Sequence, residues 1–229
     1  MFISLKLMKK IKALFFKVRE PANTYTHLAG VLLSILGLVL LLHKSVIYGQ
    51  PVHVIAFTIF GSSMILLYLA STLYHMLPLS EKGILILQRI DHIMIYIMIA
   101  GTYTPITLIV LDGYLGWAIF TVIWSVAALG ILFKLVWFNA PKWVSLMLYL
   151  TMGWLALIVF PALWHVFSLG AILWILMGGL AYTAGAIIYG FKWPNPSPVH
   201  FNFHAIWHIM VIIGSFCFFW LMYQYVVYY

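Results

Sequence analysis

Two histidines near the end of the chain, His204 and His208, have the spacing of a metal-binding pair. Residues four apart on a helix lie on one face, so both imidazoles could reach the same metal ion. The same spacing also fits two histidines that hydrogen-bond at the start of a helix without any metal. His200 lies one turn earlier, but it follows Pro198 and is expected to precede the regular helix.

A third histidine, His75, follows Ser71 by four residues, which places a hydroxyl on the same helix face one turn away. Zinc accepts neutral imidazole readily, and an open zinc site commonly has three protein ligands plus a water molecule. Asp91 could accept a hydrogen bond from such a water as a base or orienting group, while Ser71 could hold the water or donate to an oxyanion. Asp91 could instead form an ion pair with Arg89 or Lys82, which would be a purely structural role.

The helices that carry these residues are predicted to cross a membrane. Of the 229 residues, 66% are hydrophobic and only 7% are charged, whereas soluble domains carry about 25% charged residues. Apolar runs of about 20 residues can span the hydrocarbon layer as helices, and the sequence lacks the alternation typical of β-barrel strands. We therefore predict an all-α, polytopic membrane protein with a seven-helix transmembrane domain at 26–229, preceded by a basic amphipathic segment at 1–25 on the inner membrane surface. The predicted spans are 26–47, 53–77, 90–110, 115–136, 143–164, 169–190 and 202–226.

The placement of lysine and arginine predicts the orientation of this bundle. With the N-terminus in the cytoplasm and the C-terminus outside, every basic residue except Lys44 falls in an inner segment. His75 at the end of span two, Asp91 at the start of span three, and the histidine pair at the start of span seven then share one inner membrane depth. The net charge of +8 is explained in the same way, so no nucleic-acid partner is expected. The expected location is a cell membrane, and the composition suits a bacterial inner membrane.

Four motifs, taken together, give the chain a specific likeness to a known family. They are Glu20-Pro21-Ala22-Asn23-Thr24-Tyr25-Thr26-His27; Ser71-Thr72-Leu73-Tyr74-His75; Asp91-His92 followed by Ile99-Ala100-Gly101-Thr102-Tyr103-Thr104-Pro105; and His204-Ala205-Ile206-Trp207-His208 with Gly214-Ser215. In this order, from about residue 20 to the end, they resemble the hemolysin III group of the progestin and adipoQ receptor family. One departure is Phe218, where relatives often carry another histidine.

The resemblance implies seven helices, a cytoplasmic N-terminus and a zinc site. It implies that the zinc ligands are His75, His204 and His208, that Asp91 contacts the water on the metal, and that Ser71 lines the site. The family is similar in its site to a wider set of membrane hydrolases that includes the alkaline ceramidases. By analogy, this favours hydrolysis of a lipid amide.

Three functions are compatible with these residues. The first is a zinc-dependent hydrolase of a lipid amide or ester, with membrane lipids as partners and a lipid substrate that enters laterally. The second is a receptor-like protein or regulator of membrane homeostasis in which zinc is a structural clip. The third is a cytolytic or channel protein, although we find no line of charged residues through the spans that would wet a pore.

Other residues carry weaker expectations. Glu20, His27 and His92 could form a second polar cluster on the inner side, or simply hydrogen-bond at the interface. The stretch 101–105, which ends at Pro105, predicts a kinked or loosened part of span three, where threonines help to satisfy the freed carbonyls. Glycines 178, 179 and 185 predict close approach of neighbouring helices.

Overall fold

The described part of the chain, residues 18–229 of a computed structural model, is a bundle of long apolar helices. Seven helical segments are long and apolar enough to cross a membrane, which confirms the predicted all-α, seven-span fold. The helices are α1 (Pro21–Tyr48), α2 (Pro51–Met76), α3 (Glu81–Pro105), α4 (Gly113–Val136), α5 (Lys142–Trp154), α6 (Ala156–Val166), α7 (Leu169–Phe191) and α8 (Phe203–Gln224). The fifth span consists of α5 and α6 together. Most of the basic segment predicted at 1–25 lies outside the described residues.

Two spans, the first and the third, begin well before their predicted starts. Helix α1 begins at Pro21 instead of residue 26, because proline is well suited to a first helical position, where its missing N–H would have no partner. The first turn of α1 therefore lies within the segment that we had assigned to the membrane surface. Helix α3 begins at Glu81 instead of residue 90, since the Ser80 side chain accepts a hydrogen bond from the Gly83 N–H and caps the helix.

Span three is irregular at the predicted proline. The predicted stretch 101–105 is α-helical, and the helix passes into a π-helix, Ile106–Val110, directly after Pro105, so the irregular segment follows the predicted one. Thr102 and Thr104 donate hydrogen bonds to the carbonyls of Met98 and Ala100. Pro105 has no N–H to donate to the carbonyl of Gly101. Neither threonine donates to that carbonyl, so the threonines do not replace the missing hydrogen bond as expected.

Close packing of α7 on α8 depends on two of the three glycines that the sequence indicated. A Cβ atom added at Gly178 would lie 2.7 Å from the Phe218 ring, and one added at Gly185 would lie 2.8 Å from the Cβ of Met210. A Cβ at Gly179 would meet only Trp154, at 3.9 Å. Phe218 thus packs at a helix crossing, and its ring also stacks on Tyr182.

Four helix ends meet at one end of the bundle. The backbone N–H groups of Arg19 and Glu20, just before α1, donate to the carbonyls of Met76 and His75 at the end of α2. The beginnings of α3 and α8 reach the same end, and Asn202 caps α8 by accepting hydrogen bonds from the next helical N–H groups. The three candidate histidines are held at these ends, whereas Asp91, expected at the start of span three, lies further inside α3 because this helix begins at Glu81.

Candidate metal centre

Three histidines from two distant parts of the sequence converge at this end of the bundle. His75 comes from the last turn of α2, while His204 and His208 come from the first turns of α8. Their ring centroids are 4.8, 5.0 and 4.7 Å apart, and the rings are steeply inclined to one another. One nitrogen from each ring lies within 4.8 Å of the others, so the group could hold a metal ion.

The ring orientation of His75 is fixed by Glu20. The Nδ1 atom of His75 lies 2.7 Å from a carboxylate oxygen of Glu20, while its buried Nε2 has no hydrogen-bond partner among the described residues. Burial opposes ionisation of Glu20, but hydrogen bonds from His75 and Asn23 and the nearby Arg19 guanidinium favour its ionised form and lower its pKa below the usual range. Glu20 is therefore an ionised acceptor at neutral pH, so Nδ1 of His75 is the donor in this hydrogen bond and Nε2 is the nitrogen that faces the other two histidines.

The ring of His208 is oriented by α1 in the same way. Its Nδ1 lies 3.1 Å from the carbonyl oxygen of Asn23 and 3.1 Å from the hydroxyl of Thr26. A carbonyl can only accept, and the Thr26 hydroxyl already donates to the carbonyl of Ala22, so Nδ1 of His208 is the donor. Its Nε2 is then the nitrogen that could bind a metal ion.

This donor set fits a zinc ion. Zinc binds imidazole nitrogens at about 2.0–2.1 Å, and metal-bound histidines usually donate their other N–H to a carboxylate or a backbone carbonyl. His75 and His208 each have such a partner, and the orphaned Nε2 of His75 has no other described function. Nitrogens on one tetrahedral zinc lie about 3.4 Å apart, so small side-chain rotations would bring this group into range.

Ser71 and Asp91 lie beside the histidines on the wall of one large cavity. Its volume is about 520 Å³, and its lining includes both side chains together with His204 and His208. Ser71 and Asp91 are buried, and the Ser71 hydroxyl has no hydrogen-bond partner among the described residues. The cavity continues between helices α3 to α8 along mainly apolar side chains. A ligand with its polar group at the histidines would therefore have space for an attached apolar chain.

Two alternatives from the sequence do not match this geometry. Asp91 forms no ion pair with Arg89 or Lys82. The ion pairs found among the described residues are those of Glu20 with Arg19 and with His75. His200 is exposed in the turns before α8, as expected from the preceding proline, and does not join the cluster.

Three residues had no definite role from the sequence: Glu20, His27 and His92. Glu20 and His27 lie at the histidine group, and His92 lies elsewhere on the cavity wall. Glu20 orients His75, and the ring of His27 stacks on that of His208 with centroids 3.4 Å apart. His92 is on the cavity wall and lies beside Phe138, so the three residues do not form the separate cluster that we considered. The motif of residues 20–27 contained the signal for Glu20 and His27, but it gave no indication of which histidines they touch.

Comparisons with known proteins agree with the motifs. The profile of the Haemolysin-III related family matches residues 15–219. The chain is 42% identical over 201 residues to the Hemolysin-3 homolog of Bacillus subtilis, covering 87% of this chain and 91% of that protein. It is 41% identical over 202 residues to Hemolysin-3 of Bacillus cereus, covering 87% and 88%. It is also 27% identical over 200 residues to the human Monocyte to macrophage differentiation factor, covering 86% and 79%. The chain is therefore a multi-pass membrane protein of the haemolysin-III related family, within the wider progestin and adipoQ receptor group.

Proposed function

We propose that this protein is a zinc-dependent hydrolase that cleaves an amide or ester bond of a membrane lipid. The observation that carries the proposal is the junction of a three-histidine group with a long apolar cavity. A site with three ligating side chains leaves one zinc position open, as catalytic sites require. A lipid would enter laterally from the bilayer and place its tail in the cavity.

Each polar residue has a separate function in this proposal. His75, His204 and His208 hold the ion, while Glu20 and the Asn23 carbonyl keep two of the rings in the ligating tautomer. A bound zinc ion would supply Lewis acidity and lower the pKa of water. Asp91 accepts a proton on its carboxylate, and the unpartnered Ser71 hydroxyl donates a hydrogen bond to the oxygen that becomes negative. The apolar wall excludes bulk water from these groups.

Metal analysis and lipid turnover on the purified protein test the proposal. We expect zinc in the chelator-free wild type, and its loss in His75→Ala and in the double variant His204→Ala, His208→Ala. Ceramides and lipid esters would be cleaved by the wild type, and Asp91→Asn would keep the zinc but lose about 100-fold or more in turnover. His200→Ala is the matched control, since this exposed histidine lies outside the group. A metal-free wild type would refute the zinc site, and wild-type turnover in the double variant would refute catalysis there.

A structural zinc in a receptor-like protein is the second candidate. Structural zinc sites are usually closed by four protein ligands, whereas the group found here has three histidines and lies beside a cavity. Spectroscopy of the cobalt-substituted protein separates the two cases. Four protein ligands and no exchangeable water would favour the structural clip, and perturbation by a lipid would favour the hydrolase.

We also propose that the histidine end of the bundle faces the cytoplasm of a bacterial cell, as the lysine and arginine distribution predicts. Tyr114, in the first turn of α4, and Val199, between α7 and α8, are highly exposed, and the alternation of the spans would put them on opposite sides of the membrane. With Cys217→Ser as background, a membrane-impermeant thiol reagent should label Tyr114→Cys in intact cells and label Val199→Cys only after lysis. The reverse pattern would invert the orientation.

A further inference from the structure

Lys134, in the last turn of α4, is a buried cation without a carboxylate partner. It is 2% exposed, and its ammonium donates one hydrogen bond to the hydroxyl of Ser145 on α5. An ammonium has three N–H donors. A lysine at the membrane interface normally extends its charge into water, whereas this side chain is enclosed.

Among the described residues, no carboxylate pairs with Lys134. The acidic residues of the chain are Glu20, Glu81, Asp91 and Asp112, and residues 1–17 contain none. Glu20 pairs with His75 and Arg19, and no carboxylate of the described residues lies within ion-pair distance of Lys134. Removing an unpaired charge from water is costly, and buried charges are therefore normally paired.

Lys134 and Ser145 both line the large cavity, as do Lys142 and His92. Phe138, also on the cavity wall, lies between cations: the Arg89 guanidinium is 4.8 Å and the Lys134 ammonium 5.9 Å from its ring centroid. The cavity wall thus carries two lysines, Lys134 and Lys142, while most of the rest is apolar. Its volume of about 520 Å³ falls within the range of about 300–1,000 Å³ that is typical of small-molecule sites.

We propose that Lys134, with Ser145 and Lys142, binds the anionic head group of a single-chain membrane amphiphile whose tail occupies the apolar cavity. The anion supplies the counter-charge that no described carboxylate supplies to Lys134, and it accepts hydrogen bonds from the remaining ammonium N–H groups. The apolar wall selects an acyl chain over a free inorganic anion. This anion site uses residues other than the three histidines, although both groups line the same cavity, and it does not depend on hydrolysis.

Binding of four probes to the full chain in neutral detergent, measured by native mass spectrometry, tests the proposal. The probes are palmitate, hexadecyl phosphate, hexadecanol and inorganic phosphate. We expect one or both anionic amphiphiles to bind about tenfold or more tightly than hexadecanol, as for a buried hydrogen-bonded charge. Whichever of the two binds more tightly identifies the head group as a carboxylate or a phosphate. Inorganic phosphate binding as tightly as hexadecyl phosphate would refute the requirement for a tail.

Lys134→Met should abolish the preference for the anionic amphiphiles over hexadecanol. Its affinity for hexadecanol should stay unchanged, and that unchanged affinity would show that the variant is folded. Lys134→Gln is the second variant in case the methionine substitution prevents folding, and Lys134→Arg should keep most of the preference. Lys82→Met is the matched control, because Lys82 is exposed near the start of α3 and does not line the cavity.

The metal centre could itself attract an anion, so the same probes are applied to His208→Ala. A preference that persists in His208→Ala and disappears in Lys134→Met supports the anion site even if the proposed hydrolysis is wrong. A preference that disappears in His208→Ala and persists in Lys134→Met would place the anion at the histidines and overturn the proposal. Equal affinity of the wild type for hexadecanol and both anionic amphiphiles would also overturn it.

Discussion

Each of the three clustered histidines has two ring nitrogens, and its neighbours decide which one faces a metal ion. Glu20 holds Nδ1 of His75, and the carbonyl of Asn23 holds Nδ1 of His208. Both contacts come from the beginning of α1, far from either histidine in the sequence. The histidines that converge were predictable from the HxxxH spacing and from His75, but these orienting partners were not.

Replacing Glu20 by glutamine is expected to weaken zinc binding by about 10- to 100-fold, the usual effect of losing a partner of a metal-bound histidine. Glutamine keeps the size of the side chain but loses the charge that fixes the His75 tautomer. Competition with a chelator of known affinity measures the change. Glu81→Gln, an exposed carboxamide substitution at the start of α3, should leave the affinity unchanged. Equal affinity in Glu20→Gln and the wild type would show that Glu20 does not orient the ligand.

A pair of matched substitutions separates His27 from the metal ligands. His27 and His208 are both buried and their rings stack, yet only His208 belongs to the group whose nitrogens converge. We expect His27→Phe to retain zinc, because phenylalanine preserves the stacked ring, and His208→Phe to lose it. Metal content per protein chain, measured by mass spectrometry, is the readout. Loss of zinc from a folded His27→Phe protein would make His27 a ligand.

At the scale of the helices, the residue at which each helix begins decides where its candidate functional side chains lie. Pro21, Ser80 and Asn202 set the beginnings of α1, α3 and α8, and these beginnings surround the end of α2. Hydropathy placed the spans within a few residues, but it put the starts of α1 and α3 too late. The reason is that the first turns of α1 and α3 contain polar residues, and a hydropathy pattern detects only the apolar length of a helix.

The packing of α7 on α8 leads to a prediction on stability. Gly185→Ala places a methyl group 2.8 Å from the Cβ of Met210, and such overpacking typically costs about 1–3 kcal/mol. Gly179→Ala meets only Trp154, at 3.9 Å, so it should be neutral or gain up to about 1 kcal/mol from helix propensity. Thermal unfolding in detergent should therefore give a lower midpoint for Gly185→Ala than for Gly179→Ala. Equal midpoints would mean that α7 and α8 are less tightly packed than described.

At the scale of the whole molecule, the proposed zinc joins the second span to the last. His75 and His204 are separated by most of the chain, and the orienting contacts add the beginning of α1 to the same point. A ligand that binds only the folded state stabilises it in proportion to the logarithm of its concentration. The metal is therefore expected to hold three helix ends together, whether or not it takes part in catalysis.

Metal removal should accordingly destabilise the whole bundle. With zinc at 100 times its dissociation constant, the gain over the metal-free protein is about 2.7 kcal/mol. Chelation should lower the unfolding midpoint of the wild type, and zinc should restore it. The midpoint of His75→Ala should be insensitive to both treatments. A wild-type midpoint that does not respond to zinc would contradict a site that joins the helix ends.

The sequence by itself determined the seven spans, the family and the identities of the three converging histidines. Apolar length decides whether a helix can span the membrane, and consecutive spans alternate in direction, so His75, Asp91 and the His204–His208 pair had to reach the same end of the bundle. That reasoning requires only the order of the segments along the chain.

Only the tertiary structure decided which neighbours orient the histidines, how Ser71 and Asp91 meet a cavity, and that Lys134 is enclosed without a counter-charge. From the sequence, Lys134 looked like any other basic residue at the inner ends of the spans. Its burial depends on Phe138 and Ser145, whose positions follow from how α4 packs against α5. Side-chain contacts between helices are set by rotation and crossing, and one-dimensional hydropathy contains no information on either.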